Sequence, residues 1–431
     1  MKHNTMMSET EFIELVKDAE NGNILAGYDL GVCYEYGIGT DIDLEKAFLQ
    51  YQKAAENHVA EAFGALGFFY ENGWCVPADP FKAAALYKQG GEYGDAQAFC
   101  NLAFCYAYGN GVEKDPAVAV QFFRKAAKAG DSTAQYQLAL CYASGNGVKM
   151  NKKTAVKYLT SAGVQKNSDA QYFLGYCYET AFGVKQDFSQ AVKWYKLAAE
   201  QGNDMALTAL GNAYAQGAGV KKDFARAFQS FYLASEQGNG RAYHELGVCY
   251  EEGQGVKKDP EKAFHYFKLA AESGYPDAVY YLGNCYYNGR GVEQDLFQAY
   301  SWHRKGAELG NIYAMTDLAT MDYGIKMDEY EKLRLLEKAA ETGYECALYF
   351  LALRFLTGDE YVIKDEKTAL ELLKKAAHKN HALSDYMLFK CYYFGIGVCK
   401  NDSLAVKYLQ KAVVFGNKNA KKILKKIQSS G

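Results

Sequence analysis

Proline is scarce. The chain of 431 residues holds 5, where average usage would give about 22. That scarcity excludes a collagen-like or proline-rich extended chain and leaves helices free of their commonest breaker. Charge of one sign is missing as well: 48 Lys and Arg stand against 51 Asp and Glu, a net of −3. Such a balance excludes the strong field used to hold nucleic acid or an anionic lipid surface. No run of about 18 apolar residues occurs, so no membrane-spanning helix and no membrane insertion is expected. The opening MKHNTMMSETEFIELVKDAE has no apolar core of a secretory signal, and the expected location is the cytoplasm. There is no His-Glu-x-x-His and no Cys-x-x-Cys, hence no metal framework. The many Gly-x-Gly stretches carry no Gly-Lys-Ser/Thr and read as turns, not as phosphate cradles. No cofactor is implied.

What is abundant is apolar and aromatic. Hydrophobic residues make up 49% of the chain, with 37 Tyr, 24 Phe and 41 Gly, enough for a large core. A leucine recurs every 36 residues from Leu30 to Leu318, then at Leu351 and Leu388, which makes eleven units. A fixed period of this size marks a solenoid of stacked repeats. Residues 242–274, AYHELGVCYEEGQGVKKDPEKAFHYFKLAAESG, show the unit best. In its first helix an Ala four residues before the leucine, and Cys and Tyr three and four after it, fall on one apolar stripe. Gly-x-Gly-Val ends that helix. A second helix opens on an Asp or Asn N-cap at Asp43, Asp79, Asp115, Asn151, Asp187, Asp223, Asp259, Asp295, Asp328, Asp365 and Asn401. Pro80, Pro116 and Pro260 follow at the first helical position. A hairpin of this kind cannot bury its own apolar face and must stack on its neighbours.

Three stretches result from this pattern: residues 1–21, a tail and capping helix introduced by the capping box Ser8-x-x-Glu11; residues 22–416, the repeats, irregular at 318–366; and residues 417–431, a short Lys-rich capping helix whose lysines form its wet face. The ninth unit has lost three residues in its loop and the tenth has gained one near Gly358–Asp365, so the stack is expected to bend or loosen there.

The elements A-x-x-x-L-G-x-x-Y, G-x-G-V-x-x-D and A-A-x-x-G, over nearly the whole chain, resemble the Sel1-like repeat. The resemblance implies an all-α right-handed superhelix akin to tetratricopeptide repeats. It also implies a non-catalytic adaptor or scaffold in a protein complex, or, in bacteria, a protein acting on a host. One cysteine-rich, secreted branch of the family is associated with β-lactam binding or hydrolysis. Its cysteine columns hold alanine here, while Cys33, Cys105, Cys141, Cys177, Cys249, Cys285 and Cys391 occupy a stripe position instead. Those thiols read as buried and reduced, and the pair Cys391 and Cys399 as free, so the lactam reading is the weakest.

The candidate site lies on the side of the first helices opposite the apolar stripe, which by fold analogy lines a concave groove. Two residues before the repeat leucine stand Tyr28, Tyr136, Tyr172, His244, Tyr280, Tyr349 and Tyr386, with Gly64, Cys100, Thr208 and Thr316 between them. Five residues after it stand Glu35, Glu71, Glu179 and Glu251. Tyrosine suits a binding hot spot, although the same rings can serve to pack neighbouring helices. The glutamates suit the basic residues of a partner. The expected partner is therefore a protein or peptide segment with basic and apolar residues, bound by a chain more often monomeric than oligomeric. His378 and His381 read as turn residues, and His303 as a packing residue.

Overall fold

The computed structural model describes residues 7–429. Among the described residues there are 24 helices and no strand. They form two compact units, Met1–Asp223 and Phe224–Gly431.

The first unit opens with the capping helix Glu9–Glu20, whose Ser8 and Glu11 form the expected capping box. First helices follow at Ile24–Tyr36, Ala60–Asn72, Ala96–Tyr108, Ser132–Ser144, Ser168–Thr180 and Asp204–Gln216, alternating with second helices at Leu44–Glu56, Pro80–Tyr93, Pro116–Lys128, Lys152–Val164 and Phe188–Ala199. Each packs on its neighbours in the chain. The second unit begins with Phe224–Ser235 and continues with first helices Gly240–Glu252, Pro276–Asn288, Ile312–Thr320, Glu345–Thr357 and Ala382–Phe394. Its second helices are Pro260–Glu272, Leu296–Glu308, Glu329–Glu341, Glu366–His378 and Asp402–Val414, and Lys418–Ser429 closes it.

The repeat leucines and alanines make the core. Leu138, Leu174 and Leu246 have no exposed surface, nor do Ala134, Ala170 and Ala242 one turn before them. A buried leucine contributes about 1.5–3 kcal/mol, and alanine lets the helix behind it approach. The N-caps form as their chemistry requires: Asp43 accepts the backbone N–H of Lys46 at 3.0 Å, and Asn401 that of Leu404 at 2.9 Å. The first helices use the same device, through Asn23, Asp95, Asn167 and Asn239 among others. In the Gly-x-Gly turn of the third repeat, Gly109 ends the helix at φ +83°. Gly111, at φ +69°, lies so close to the preceding repeat that a Cβ would run into the Pro80 carbonyl. The two glycines thus do different work: one ends a helix, the other seats a hairpin on its predecessor.

The irregular stretch is built differently from its sequence reading. The shortening of the ninth repeat falls on the first helix and not on the loop: the helix stops at Thr320 after 9 residues instead of 13, and the loop that follows is one residue longer than in a regular unit. The gap is filled from the following loop by Tyr323 and Met327, both buried. In the tenth repeat the added residue lies in a loop where Asp359 accepts the N–H groups of Tyr361 and Val362, and Val362 is buried. At the C-terminal end Ala420 is fully buried, while Lys418, Lys421, Lys422, Lys425 and Lys426 are exposed.

Candidate functional site

All six tyrosines that precede the repeat leucine are half-buried, and each has an aromatic neighbour. In the first unit Tyr28 lies over Tyr51 at 5.5 Å between ring centroids. Tyr136 meets Phe173 at 5.8 Å, and Tyr172 meets Tyr195 at 5.8 Å. In the second unit Tyr280 lies 5.7 Å from His303, Tyr349 lies 5.3 Å from His381, and Tyr386 lies 6.0 Å from Phe389. Each ring is thus held by a neighbour while part of it stays open to solvent. Burial, reinforced by nearby carboxylates, pushes the phenols of Tyr28, Tyr136 and Tyr280 up to about 12, so they remain neutral hydrogen-bond donors.

His244 occupies the same column and is placed otherwise. It is 8% exposed, enclosed by Tyr281, Tyr275 and Phe267, with neither ring nitrogen bonded. Burial pulls it down to about 4, which keeps it neutral. It is buried, whereas Tyr280, Tyr349 and Tyr386 of the same unit stay half-open to solvent.

The glutamates are engaged inside the repeats. Glu35 accepts the hydroxyl of the buried Tyr51 at 2.5 Å, Glu71 that of Tyr87 at 2.6 Å, and Glu179 that of Tyr195. Glu71 also takes the side-chain amide of Asn110 at 3.0 Å, and Glu251 pairs with Arg290 at 2.8 Å. Each of the first three thus satisfies a phenol that its own second helix buries. The signal lay in two columns read together. Where the second helix carries Phe123, Leu159 or Phe231 at that depth, the first helix carries Ala107, Ala143 or Ala215 in place of the glutamate; Glu251, opposite Phe267, is the exception and takes Arg290 instead.

A cavity of about 470 Å³ in the first unit has no counterpart among the sequence expectations. It lies between the first helices of the first three repeats, with Tyr28, Glu35, Glu61, Phe68, Asp95 and Asn101 among its walls. One wall is Gly64, which stands in the tyrosine column of the second repeat and leaves that place without a side chain.

Groups with reactive potential are electrostatically unprimed. Cys346 Sγ lies 3.8 Å from His381 Nε2, and His381 Nδ1 lies 2.8 Å from Ser384 Oγ. Burial pushes the thiol up and the imidazole down, the reverse of the thiolate–imidazolium pair that a cysteine nucleophile needs. His381 is thus half-buried, while His378 is exposed; His303 is fully buried and bonded to the Tyr323 hydroxyl at 2.6 Å. Burial lifts Cys105, Cys249 and Cys285 to about 12, which suits unreactive core thiols. Cys391 is buried and Cys399 exposed. No group of three or more His, Cys, Asp or Glu suited to a metal ion occurs among the described residues, and no helix there is long and apolar enough to cross a membrane.

Comparison with known proteins gives the same architecture. The Sel1 repeat model matches ten segments: 25–59, 64–95, 96–131, 132–163, 168–203, 204–239, 240–275, 276–311, 347–381 and 382–413. The unmatched stretch between 311 and 347 includes the shortened helix Ile312–Thr320. Among solved structures, the chain is similar to c5321, a protective antigen present in uropathogenic Escherichia coli strains that displays an SLR fold. The identity is 32% over 96% of this chain and 90% of that one, with a TM-score of 0.77. A Sel1 repeat protein from Oxalobacter formigenes is 31% identical over 53% of this chain and 97% of its own, with a TM-score of 0.48. A curated relative, chitin synthase regulatory factor 2 of Schizosaccharomyces pombe, is 39% identical over 70 residues, which span 16% of this chain and 14% of that protein. With ten matched repeats distributed over most of its length, the chain belongs to the Sel1 repeat family.

Proposed function

We propose that this chain is a non-catalytic scaffold that holds a segment of a partner polypeptide against the first helices of its repeats. Proteins of the Sel1 repeat family mediate protein–protein interaction, which is the general frame. The observation that carries the finer reading is the ring contact that each half-buried tyrosine makes. Tyr28, Tyr136 and Tyr172 in the first unit, and Tyr280, Tyr349 and Tyr386 in the second, are fixed by aromatic neighbours before any partner arrives. Preorganised aromatic surface loses little entropy on binding, and its hydroxyls can serve the partner's backbone.

Glu35, Glu71, Glu179 and Glu251 belong to this reading in a modified role. They hold the hairpins in shape and add negative charge that favours basic residues in the partner and raises its association rate. His244 is left out because it is enclosed.

The test is co-purification of a partner from the native host with the wild-type chain and with the Tyr136→Ala/Tyr172→Ala variant, the helical content of both being checked by circular dichroism. Loss of the partner with the fold intact supports the reading, and equal recovery removes these tyrosines from the site.

A further inference from the structure

The cavity between the first three repeats has a composition that selects a ligand. Its only charged walls are the carboxylates Glu35, Glu61 and Asp95; no Lys or Arg lines it. The remaining walls are chiefly aromatic, with Tyr28 half-buried and Phe68 39% exposed at the opening. The third component is a pair of side-chain amides, Gln97 and Asn101, bonded to each other at 3.0 Å.

Two structural details keep the room open and the charge in place. Gly64 stands where most units carry tyrosine or another side chain, and a Cβ there would lie 2.7 Å from Asp95 Oδ2. Asp95 is fixed by its N-cap bond to the backbone N–H of Gln97 at 2.9 Å, so its charge cannot swing away. The field of the three carboxylates is felt at Tyr28, whose phenol is held up by burial and then by Glu61, Asp95 and Glu35. Carboxylates without a cation, beside open ring surface, favour a delocalised planar cation over a compact one: a guanidinium donates up to five N–H bonds and stacks on aromatic rings.

We propose that this cavity takes an arginine side chain of the partner polypeptide, with the guanidinium among Glu35, Glu61 and Asp95 and the stem against Tyr28 and Phe68. The proposal rests on the scaffold reading above and names the chemistry that one end of the face recognises. The first unit then has an anchor point for one arginine, and Tyr136 and Tyr172 of the same unit take partner residues beyond it.

The probe is N-acetyl-arginine methylamide, with N-acetyl-citrulline methylamide as its neutral counterpart, titrated at low ionic strength into the full chain while the side-chain amide resonances of Gln97 and Asn101 are followed. The arginine probe is expected to give saturable shifts with a midpoint at least about tenfold lower than citrulline, the scale of a charge-assisted hydrogen bond. Glu61→Gln/Asp95→Asn, in which asparagine keeps the N-cap, is expected to raise that midpoint about tenfold or more. Gly64→Ala, which displaces Asp95 without removing charge, is expected to raise it as well. Equal response to both probes, or an unchanged midpoint in the charge variant, overturns the proposal. The probe needs no partner. A chain that loses its partner on Tyr136→Ala/Tyr172→Ala yet ignores the arginine probe therefore overturns the cavity alone, and the opposite pair of results overturns the tyrosine face alone.

Discussion

The hydroxyl of Tyr195 donates to the carboxylate of Glu179, joining the second helix of a repeat to the end of its first helix. The same bond joins Tyr87 to Glu71 and Tyr51 to Glu35. A buried phenol and a half-buried carboxylate thus solve each other's desolvation.

Tyr87→Phe should lose about 1.5–3 kcal/mol, the range for a hydrogen bond to a charged group, read as a lowered urea midpoint. The converse holds in the third repeat. Phe123→Tyr buries a hydroxyl opposite Ala107 and should cost about 1–3 kcal/mol, and adding Ala107→Glu should recover much of it. A double variant no more stable than the single one would remove the pairing as a unit of the fold.

Gly111→Ala should destabilise more than Gly130→Ala. Both glycines have positive φ, but a Cβ at Gly130 meets open space whereas one at Gly111 meets the Pro80 carbonyl. About 1 kcal/mol is expected at Gly130 from backbone conformation alone, and at least twice that at Gly111. Thermal unfolding of the two variants compares them directly.

Acid should weaken the second unit through its buried histidines. His244 and His303 are held down to about 4 by burial, against an ordinary value of 6.5. The unfolded chain binds more protons than the folded one between those values, so their contribution is whole above about pH 6.5 and falls as pH drops toward 4. Asp317, raised to about 6 by burial, acts in the opposite sense over much of that window. His244→Phe isolates one side of the balance. Its ring nitrogens have no partner to lose, so the variant should gain stability relative to wild type at pH 5 compared with pH 8. Parallel pH profiles of urea midpoints would contradict this.

Trypsin should cut first after Lys326 or Lys364, which lie exposed in the two irregular loops of the ninth and tenth repeats. Uniform resistance from 318 to 366 would show that buried Tyr323, Met327 and Val362 pin those loops as firmly as the regular turns.

The period, the hairpins and their caps were legible because each is set by residues close in sequence: Asp43 three residues before Lys46, or a glycine just past a helix end. What escaped depends on a neighbour. The helical wheel placed His244 on the same face as Tyr280, but the rings of Tyr281 and Tyr275 in the next repeat close over it. The shortened helix at Thr320 escaped because deletion of a loop and deletion of a helical turn read alike until Tyr323 and Met327 are seen filling the space. The cavity beside Tyr28 was foreshadowed by Gly64, but a gap in a column acquires walls only when adjacent repeats meet.

The seat of Gly111 on Pro80 recurs at Gly147 on Pro116 and at Gly291 on Pro260, and each time the later hairpin rests on the earlier one. The array therefore has a polarity. Trimming from its C-terminal end leaves every remaining turn with the backbone it was shaped to meet, whereas trimming from the N-terminal end strands a glycine whose counterpart is gone. Duplication or loss of repeats during evolution would be tolerated unequally at the two ends, and shortened versions should be cut from the back.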